Sequence, residues 1–201
     1  MTTHSKPMTP DDFLVTGLET IQPAYGQFPG KMYAGLIPVS SKGKMMFWLF
    51  EPDTQSVEDT LVVWLNGGPG CSSFNCGVMM EHSPVTQPLR PAGFCCLKPD
   101  PALFYNEQTW TKATTMLYVE QPIGTGFSYG HPLPETEADV SADLYLWLQN
   151  FYNVFEHLRP YNFYVMGESY AGMFVPSIAR YIHLENQKGT NKLINLKGAA
   201  M

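Results

Sequence analysis

Apolar runs recur along the chain, and clusters of Gly and Pro close most of them. The run at residues 60–66 reads TLVVWLN, a nearly continuous apolar segment that predicts a strand buried on both faces, as in a parallel sheet. Similar runs predict strands at residues 45–51, 114–120, 162–166 and 196–201. The pattern therefore indicates a sheet at the centre of the fold.

Helical spacing of apolar residues occurs between the later runs. One such face is predicted at Val140, Leu144, Leu148, Phe151 and Phe155. Thr136 followed by Asp139 is typical of a helix cap, and Pro160 ends the pattern. A second helix is predicted at residues 174–183. Strands that alternate with helices predict an α/β fold with a mostly parallel central sheet flanked by helices.

The start of the chain differs from the rest in composition. Residues 1–30 are predicted to be an N-terminal tail, and residues 31–201 are predicted to form one domain. Residues 83–110 are rich in Pro and turn formers and are predicted to be a long excursion between strands. With 44% hydrophobic and 15% charged residues, the composition is typical of a globular protein.

Charge and cysteine spacing exclude several classes of partner. The net charge of -6 argues against nucleic acid and against an anionic membrane surface. No apolar run approaches the roughly 20 residues of a membrane span, and residues 1–12 lack the apolar core of a signal peptide. The adjacent Cys95 and Cys96 do not match the spacing of zinc ligands. We expect neither a metal nor a cofactor.

A strand-turn-helix segment contains the first chemical motif. Residues 167–172 read GESYAG, which resembles the G-x-S-x-G nucleophile elbow except that Ala171 replaces the second glycine. A small side chain is the steric requirement there, and Ala meets it. Such a turn exposes the hydroxyl of Ser169 at the N-terminal end of a helix, where the dipole favours negative charge. The alternative is an ordinary strand-to-helix turn with a capping serine.

A glycine-rich turn upstream favours the first of these alternatives. Residues 66–70 read NGGPG and directly follow the buried strand, in the position where α/β-hydrolases place the second oxyanion donor. Glycines let the backbone approach a ligand and present N–H groups to it. The amides of Gly68 and Tyr170 are therefore the predicted oxyanion hole for an intermediate formed on Ser169.

Four blocks of sequence together resemble one family. Residues 64–73 read WLNGGPGCSS, residues 120–129 read EQPIGTGFSY and residues 167–172 read GESYAG, while residues 33–35 read YAG and resemble an early Tyr-x-Gly turn. In this order they resemble the serine carboxypeptidases, which have the α/β-hydrolase fold. The resemblance implies the N-terminal part of that fold, truncated after the helix that follows the elbow.

The resemblance also implies an activity and a second set of site residues. The expected activity is hydrolysis of C-terminal residues from peptides at acid pH, through an acyl-enzyme on Ser169. The free carboxylate of the peptide is expected to bind Asn66, the Gly67 amide, Glu81 and Glu168. Two close carboxyl groups share a proton, and a protonated one can donate a hydrogen bond to the substrate.

The assignment of Glu81 leaves an alternative open. Residues 74–77 hold one residue more than the family pattern, so Glu81 could instead be a solvated helix residue. Three of the histidines that precede the elbow are predicted to be surface residues without partners, namely His82, His131 and His157.

Two members of a catalytic triad have no match in the chain. In α/β-hydrolases the Asp and His follow the serine, but no Asp follows Ser169 and the one later His is His183. His183 lies 14 positions along the helix, about 20 Å from the serine hydroxyl. A carboxypeptidase-like acyltransferase and a catalytically inactive fragment therefore stay as alternatives. The family suggests a vacuolar, lysosomal or secreted location.

Overall fold

A seven-stranded sheet forms the centre of the protein. The computed structural model describes residues 6–52, 59–87 and 103–201. The sheet strands are β1 (Gly30–Ser40), β2 (Gly43–Pro52), β3 (Thr60–Leu65), β6 (Thr115–Val119), β7 (Tyr129–Gly130), β8 (Asn162–Gly167) and β9 (Leu196–Ala200). Two short strands form a separate pair, β4 (Val85–Thr86) and β5 (Phe104–Tyr105).

The central strands of the sheet run parallel. The strand order is β1-β2-β6-β3-β8-β9, with β7 beside β2. β3 pairs in parallel with β6 and β8, and β8 pairs in parallel with β9. The pairs that involve β2 are antiparallel. This arrangement confirms the predicted α/β class with a mostly parallel central sheet.

Helices connect the parallel strands, as crossover connections require. α2 (Glu137–Val154) precedes β8, and α3 (Ala171–Lys188) lies between β8 and β9. The predicted cap of α2 is confirmed, because Thr136 Oγ1 accepts a hydrogen bond of 3.2 Å from the Asp139 amide. α3 begins earlier than the spacing predicted, directly after the elbow. The described residues contain one further α-helix, the short α1 (Leu18–Ile21).

β3 has the two-sided burial that its apolar run predicted. Leu61, Val63 and Leu65 are fully buried in the core on one face of the sheet, the face covered by α2 and α3. Val62 and Trp64 point to the opposite face and belong to the second core. Because side chains alternate along a strand, a strand covered on both faces has no polar positions.

The N-terminal segment packs on the sheet, although the sequence predicted a tail there. Phe13 is buried with its ring centroid 5.4 Å from that of Phe47. Tyr25 is buried and stacks on Trp48 at 5.9 Å. Aromatic side chains spaced far apart in sequence have no periodic pattern, yet each covers a large area of the sheet. Residues 10–28 are therefore part of the packed structure.

The predicted Tyr-x-Gly turn at residues 33–35 is wrong. These residues lie within β1, where Tyr33 is opposite Leu49 of β2 in an antiparallel register. Tyr33 is buried, and its ring meets Phe155 edge-on at 5.2 Å. Pairing with β2 and this aromatic contact therefore keep the segment extended despite its glycine.

Candidate active site

Three loops that carry the sequence motifs meet at one edge of the sheet. They are residues 66–70 after β3, 120–128 after β6 and 168–170 after β8. β3, β6 and β8 are parallel, so their carboxyl ends lie at the same edge. Ligands of α/β sheets bind outside these ends. The fold therefore brings the predicted motifs together in the place where a site is expected.

Ser169 has the backbone conformation of a nucleophile elbow. Its φ is +58°, the one positive value for a non-glycine residue among those that the structure describes. A side chain in this left-handed region costs about 1–2 kcal/mol, and such strain is concentrated at functional sites. Ser169 is exposed, and α3 begins two residues later at Ala171. The hydroxyl is thus accessible at the N-terminal end of an 18-residue helix.

The substitution of the second elbow glycine by alanine has a steric explanation. A Cβ atom on Gly167 would lie 2.7 Å from the Cβ of Ala171 and even closer to the carbonyl oxygen of Leu65. Gly167 therefore provides the space that the methyl group of Ala171 occupies, and Ala171 is fully buried. A Cβ on Gly172 would meet nothing within 4 Å, so this position imposes no such requirement.

We predict that the strain at Ser169 can be measured as a stability difference. Ser169→Gly removes the side chain from the left-handed region and should be about 1 kcal/mol more stable than Ser169→Ala, which keeps a Cβ there. Both variants lack the hydroxyl, so the comparison isolates the backbone. Urea unfolding of the two proteins measures the difference. Equal stabilities would show that the turn holds no such strain.

The NGGPG turn lies against the elbow. A Cβ atom on Gly67 would be 2.9 Å from the Glu168 carbonyl oxygen and 3.0 Å from the Ser169 Cβ, and closer still to the Tyr170 amide nitrogen. Gly68 has a φ of +108°, a value that favours glycine. The two segments that carry the predicted oxyanion donors, Gly68 and Tyr170, are therefore in direct contact beside Ser169.

Asn66 joins the two predicted carboxyl groups. Its Nδ2 donates to Glu81 Oε1 at 3.0 Å and to Glu168 Oε1 at 3.1 Å. Its Oδ1 accepts from Trp64 Nε1 at 3.0 Å and from the Gly77 amide at 3.2 Å. Asn66 is 1% exposed, and both ends of its amide have partners. The bonds of Asn66 therefore fix the positions of both carboxyl groups.

A π-helix explains why Glu81 reaches Asn66 despite the extra residue in this segment. Phe74–Glu81 is a π-helix, in which each turn holds more residues than in an α-helix. Its five-residue hydrogen bonds run from the Val78 amide to Ser73 O, at 3.0 Å, and from the His82 amide to Gly77 O, at 3.3 Å. The wider turn accommodates the additional residue. Glu81 therefore faces Asn66 and is not a fully solvated helix residue.

The environment of Glu81 favours its protonated form. Burial raises the pKa of Glu81, and the nearby Glu168 raises it further, while the Asn66 hydrogen bond and the neighbouring indole N–H of Trp64 oppose the shift. The side chain of Glu81 is 26% exposed. A carboxyl group with a raised pKa can act as a hydrogen-bond donor in weak acid.

Glu120 is a buried residue of the site that sequence reasoning did not single out. It is 0% exposed, and its carboxylate accepts hydrogen bonds from the Ser72 hydroxyl and the Phe127 amide. Ser128 Oγ donates to its carbonyl oxygen. Glu120 thus links the loop after β3 to the loop after β6. A charged residue directly after a buried strand was the signal that could have identified it.

Two of the three histidine predictions need correction. His82 is buried, its Nδ1 lies 2.8 Å from the Tyr118 hydroxyl, and its ring stacks on Trp110. His157 is exposed as predicted but has a partner, because its Nε2 lies 2.9 Å from Glu51 Oε1. These partners come from distant parts of the chain, so residue spacing could not indicate them.

The described residues contain no group of three or more His, Cys, Asp or Glu side chains that could hold a metal ion. Cys95 and Cys96 lie outside those residues. Among the helices in the described part of the chain, none is long and apolar enough to cross a membrane.

Comparison with known proteins identifies the family. The family model described as serine carboxypeptidase matches residues 23–201. The chain belongs to the serine carboxypeptidase family. A solved structure supports the fold: Kex1Δp, a prohormone-processing carboxypeptidase from Saccharomyces cerevisiae, matches with a TM-score of 0.78 at 27% identity over 95% of this chain and 43% of its own. The α/β-hydrolase fold predicted from the motifs is therefore confirmed.

Curated relatives are similar over most of this chain. The vacuolar serine-type carboxypeptidase ATG42 of S. cerevisiae is 33% identical over 180 residues, which are 89% of this chain and 33% of the relative. The human probable serine carboxypeptidase CPVL is 38% identical over 184 residues, 88% of this chain and 36% of the relative. The chain thus spans about a third of the length of these serine carboxypeptidase relatives.

Proposed function

We propose that this protein is a serine-type carboxypeptidase that removes C-terminal residues from peptides through an acyl-enzyme on Ser169. The observation that carries the proposal is the position of Asn66. Its amide holds Glu81 and Glu168 together directly beside the strained serine. Such a group of hydrogen-bonding side chains suits recognition of a free carboxylate next to the scissile bond.

Binding of the carboxylate depends on the proton of the Glu pair. Residues 64–81 contain no Lys or Arg, so this segment offers no cation for the substrate. A protonated Glu81 and the Gly67 amide would donate hydrogen bonds to the carboxylate, and Asn66 would orient them. As the pH rises, Glu81 loses its proton and then repels the substrate. We propose that this titration makes the activity greatest in acid.

In the proposed reaction, the Ser169 hydroxyl attacks the last peptide carbonyl. The amides of Gly68 and Tyr170 stabilise the developing oxyanion, and the N-terminal end of α3 favours the negative charge. The serine needs a general base. No Asp follows Ser169, and His183 lies exposed on α3 with its Nε2 near Gln187. Among the described residues we infer no general base for Ser169, so the proposed activity requires one from elsewhere.

The test is an assay of the protein as its own organism makes it. A blocked dipeptide with a free C-terminus is supplied at about pH 5, and a Ser169→Ala variant serves as the control. Serine-dependent release of the last amino acid supports the proposal. Serine-dependent transfer to an added alcohol without hydrolysis would indicate an acyltransferase instead. We expect the 201-residue chain by itself to show no serine-dependent hydrolysis.

We predict that Glu168→Gln weakens the acid dependence of peptide binding. The amide of glutamine donates a hydrogen bond at every pH and carries no charge, whereas a carboxyl group donates in acid alone. The ratio of the dissociation constant at pH 7 to that at pH 5 should fall by about tenfold, the change in affinity that corresponds to one unit of pKa. The measurement is a calorimetric titration with a peptide acid, in a Ser169→Ala background that prevents cleavage.

Glu135→Gln provides the matched control for this prediction. Glu135 is exposed, so the change removes the same charge away from the carboxyl pair. The pH dependence of peptide binding should stay as in the parent protein. An unaltered ratio in Glu168→Gln as well would contradict the shared-proton explanation.

A further inference from the structure

His82 occupies a rigid aromatic pocket behind the carboxyl pair. Its ring stacks on Trp110 at 4.1 Å and 13°, and on Tyr118 at 5.6 Å and 25°. Trp64 meets the ring edge-on at 4.3 Å. The backbone carbonyl of His82 accepts bonds from the Trp110 amide at 3.0 Å and from Thr109 Oγ1 at 3.1 Å. The direction of each ring nitrogen is therefore fixed.

One ring nitrogen of His82 faces Glu81. Nε2 lies 3.7 Å from Glu81 Oε2, slightly beyond hydrogen-bond distance. Neither atom is accessible to solvent, and neither has a hydrogen-bond partner among the described residues. The other carboxylate oxygen, Oε1, is the one that Asn66 binds. A buried polar atom without a partner is unfavourable, so two such atoms that face each other suggest an interaction between them.

The Tyr118 hydroxyl determines which ring nitrogen carries the proton. Tyr118 is fully buried, and burial raises its pKa well above the usual value, so the hydroxyl keeps its proton. In the part of the chain that the structure describes, His82 Nδ1 is the partner found for this hydroxyl. If the hydroxyl donates to Nδ1, the buried tyrosine donor is paired, whereas in the other tautomer it is not. The imidazole proton is then on Nε2 and points at Glu81.

We propose that His82 is a positioning residue whose Nε2–H, aimed at Glu81 Oε2 by Tyr118, sets the highest pH at which the site binds a peptide carboxylate. The N–H favours ionised Glu81 and opposes the effects of burial and of Glu168. Burial lowers the pKa of His82 to about 4, so the ring acts as a neutral donor above that pH. The titratable groups that face Glu81 are thus His82 and Tyr118 on one side and Glu168 on the other, and Asn66 and Trp64 are its neutral N–H neighbours.

Two variants of His82 separate the roles of its nitrogens. His82→Asn keeps a polar atom near the position of Nδ1 for Tyr118 and removes Nε2. His82→Gln places an amide N–H near the position of Nε2. Without Nε2–H, ionised Glu81 loses its donor, and its pKa rises further. The highest pH at which the peptide acid binds should then be about one unit higher in His82→Asn than in the parent. At a pH above the limits of both proteins, this shift corresponds to an affinity about tenfold higher in the variant. In His82→Gln the limit should stay near that of the parent.

The experiment measures Kd between pH 4.5 and pH 8 for a peptide acid and for the same peptide as its C-terminal amide, in a Ser169→Ala background. An unchanged or lower limit in His82→Asn would overturn the inference. If that variant does not fold, Tyr118→Phe is the substitute. It keeps the aromatic ring but removes the hydroxyl that selects the His82 tautomer, so the pH limit of peptide-acid binding should rise by less than expected for His82→Asn. The ¹⁵N shifts of His82 should place the proton on Nε2, and a proton on Nδ1 would refute the assignment.

The inference rests on the proposed carboxylate site. Binding of the peptide amide distinguishes a failure of that site from a failure of the role proposed for His82. If the parent protein prefers the acid over the amide in acid solution, the proposed site stands whatever the His82 variants do. If the parent binds both peptides equally at every pH, the proposed function itself fails.

Discussion

Gly67→Ala is expected to slow peptide hydrolysis by about 100-fold and to destabilise the protein by about 3 kcal/mol, since overpacking at a rigid contact costs on this order. A methyl group at this position would lie 2.9 Å from the Glu168 carbonyl oxygen and 3.0 Å from the Ser169 Cβ. Backbone atoms cannot move away as the end of a flexible side chain can. The elbow must therefore shift as a unit, and a displacement of about 1 Å at a reacting group lowers the rate by about 100-fold.

Gly172→Ala is the matched control. The same methyl group would meet nothing within 4 Å there, and Gly172 lies within α3. Alanine has the higher helix propensity, so this variant should be about 0.5–1 kcal/mol more stable than the parent. Urea unfolding and the dipeptide assay measure both effects. Normal activity in Gly67→Ala would show that the close contact between the NGGPG turn and the elbow is not needed for the reaction.

The parts of the site that depend on local sequence could be predicted. Residues 60–66 and 162–166 were recognised because a central parallel strand needs apolar side chains on both faces. The turns that follow these strands, NGGPG at residues 66–70 and GESYAG at residues 167–172, could be predicted because each motif restricts the local backbone conformation. Ser169 does have a positive φ and is exposed. Local sterics therefore determined this part of the site.

The parts that depend on contacts between distant residues could not. The sequence does not predict β1 as a strand, because buried and exposed positions do not alternate regularly along it and because it contains Pro38. Residues 10–28 gave no periodic signal, because single aromatic side chains hold them to the sheet. In both cases the stabilising partner is supplied by another element, and no pattern within the segment records it.

His82 illustrates the same limit within the site. Its neighbour Glu81 was predicted from the family pattern, but His82 itself was assigned to the surface. Trp64, Trp110 and Tyr118 surround the ring, and they come from three separate segments. The π-helix that orients both residues differs from an α-helix in its hydrogen bonds and not in its composition. The sequence alone therefore could not predict the position of the ring.

Asn66→Asp is expected to destabilise the protein strongly near neutral pH and much less in acid. The new side chain would be 1% exposed and would face both Glu81 and Glu168 in place of the amide donor. An ionised aspartate there leaves a buried charge with two neighbouring carboxyl groups, and residues 64–81 contain no Lys or Arg to compensate it. An uncompensated buried charge costs about 3–5 kcal/mol. The loss should be of this size at pH 7.

The direction of the pH dependence follows from the shift in pKa. Burial and the two carboxyl groups would raise the pKa of Asp at this position above its unfolded value of about 3.9. A group with a raised folded-state pKa keeps its contribution to stability below the unfolded pKa and loses it as the pH rises through the folded one. A protonated Asp can also donate one of the two hydrogen bonds that the Asn66 side chain donates. The variant should therefore be within about 1 kcal/mol of the parent near pH 4, since one hydrogen bond is lost.

Asn75→Asp controls for the added charge. Asn75 is exposed and lies in the first turn of the helix Phe74–Glu81, where a negative charge is well tolerated. Its free energy of unfolding should stay within about 0.5 kcal/mol of the parent at both pH values. Urea titrations at pH 4 and pH 7 give the two differences. An Asn66→Asp penalty that is equal at both pH values, or larger in acid, would contradict the explanation that an ionised aspartate at position 66 is repelled by Glu81 and Glu168.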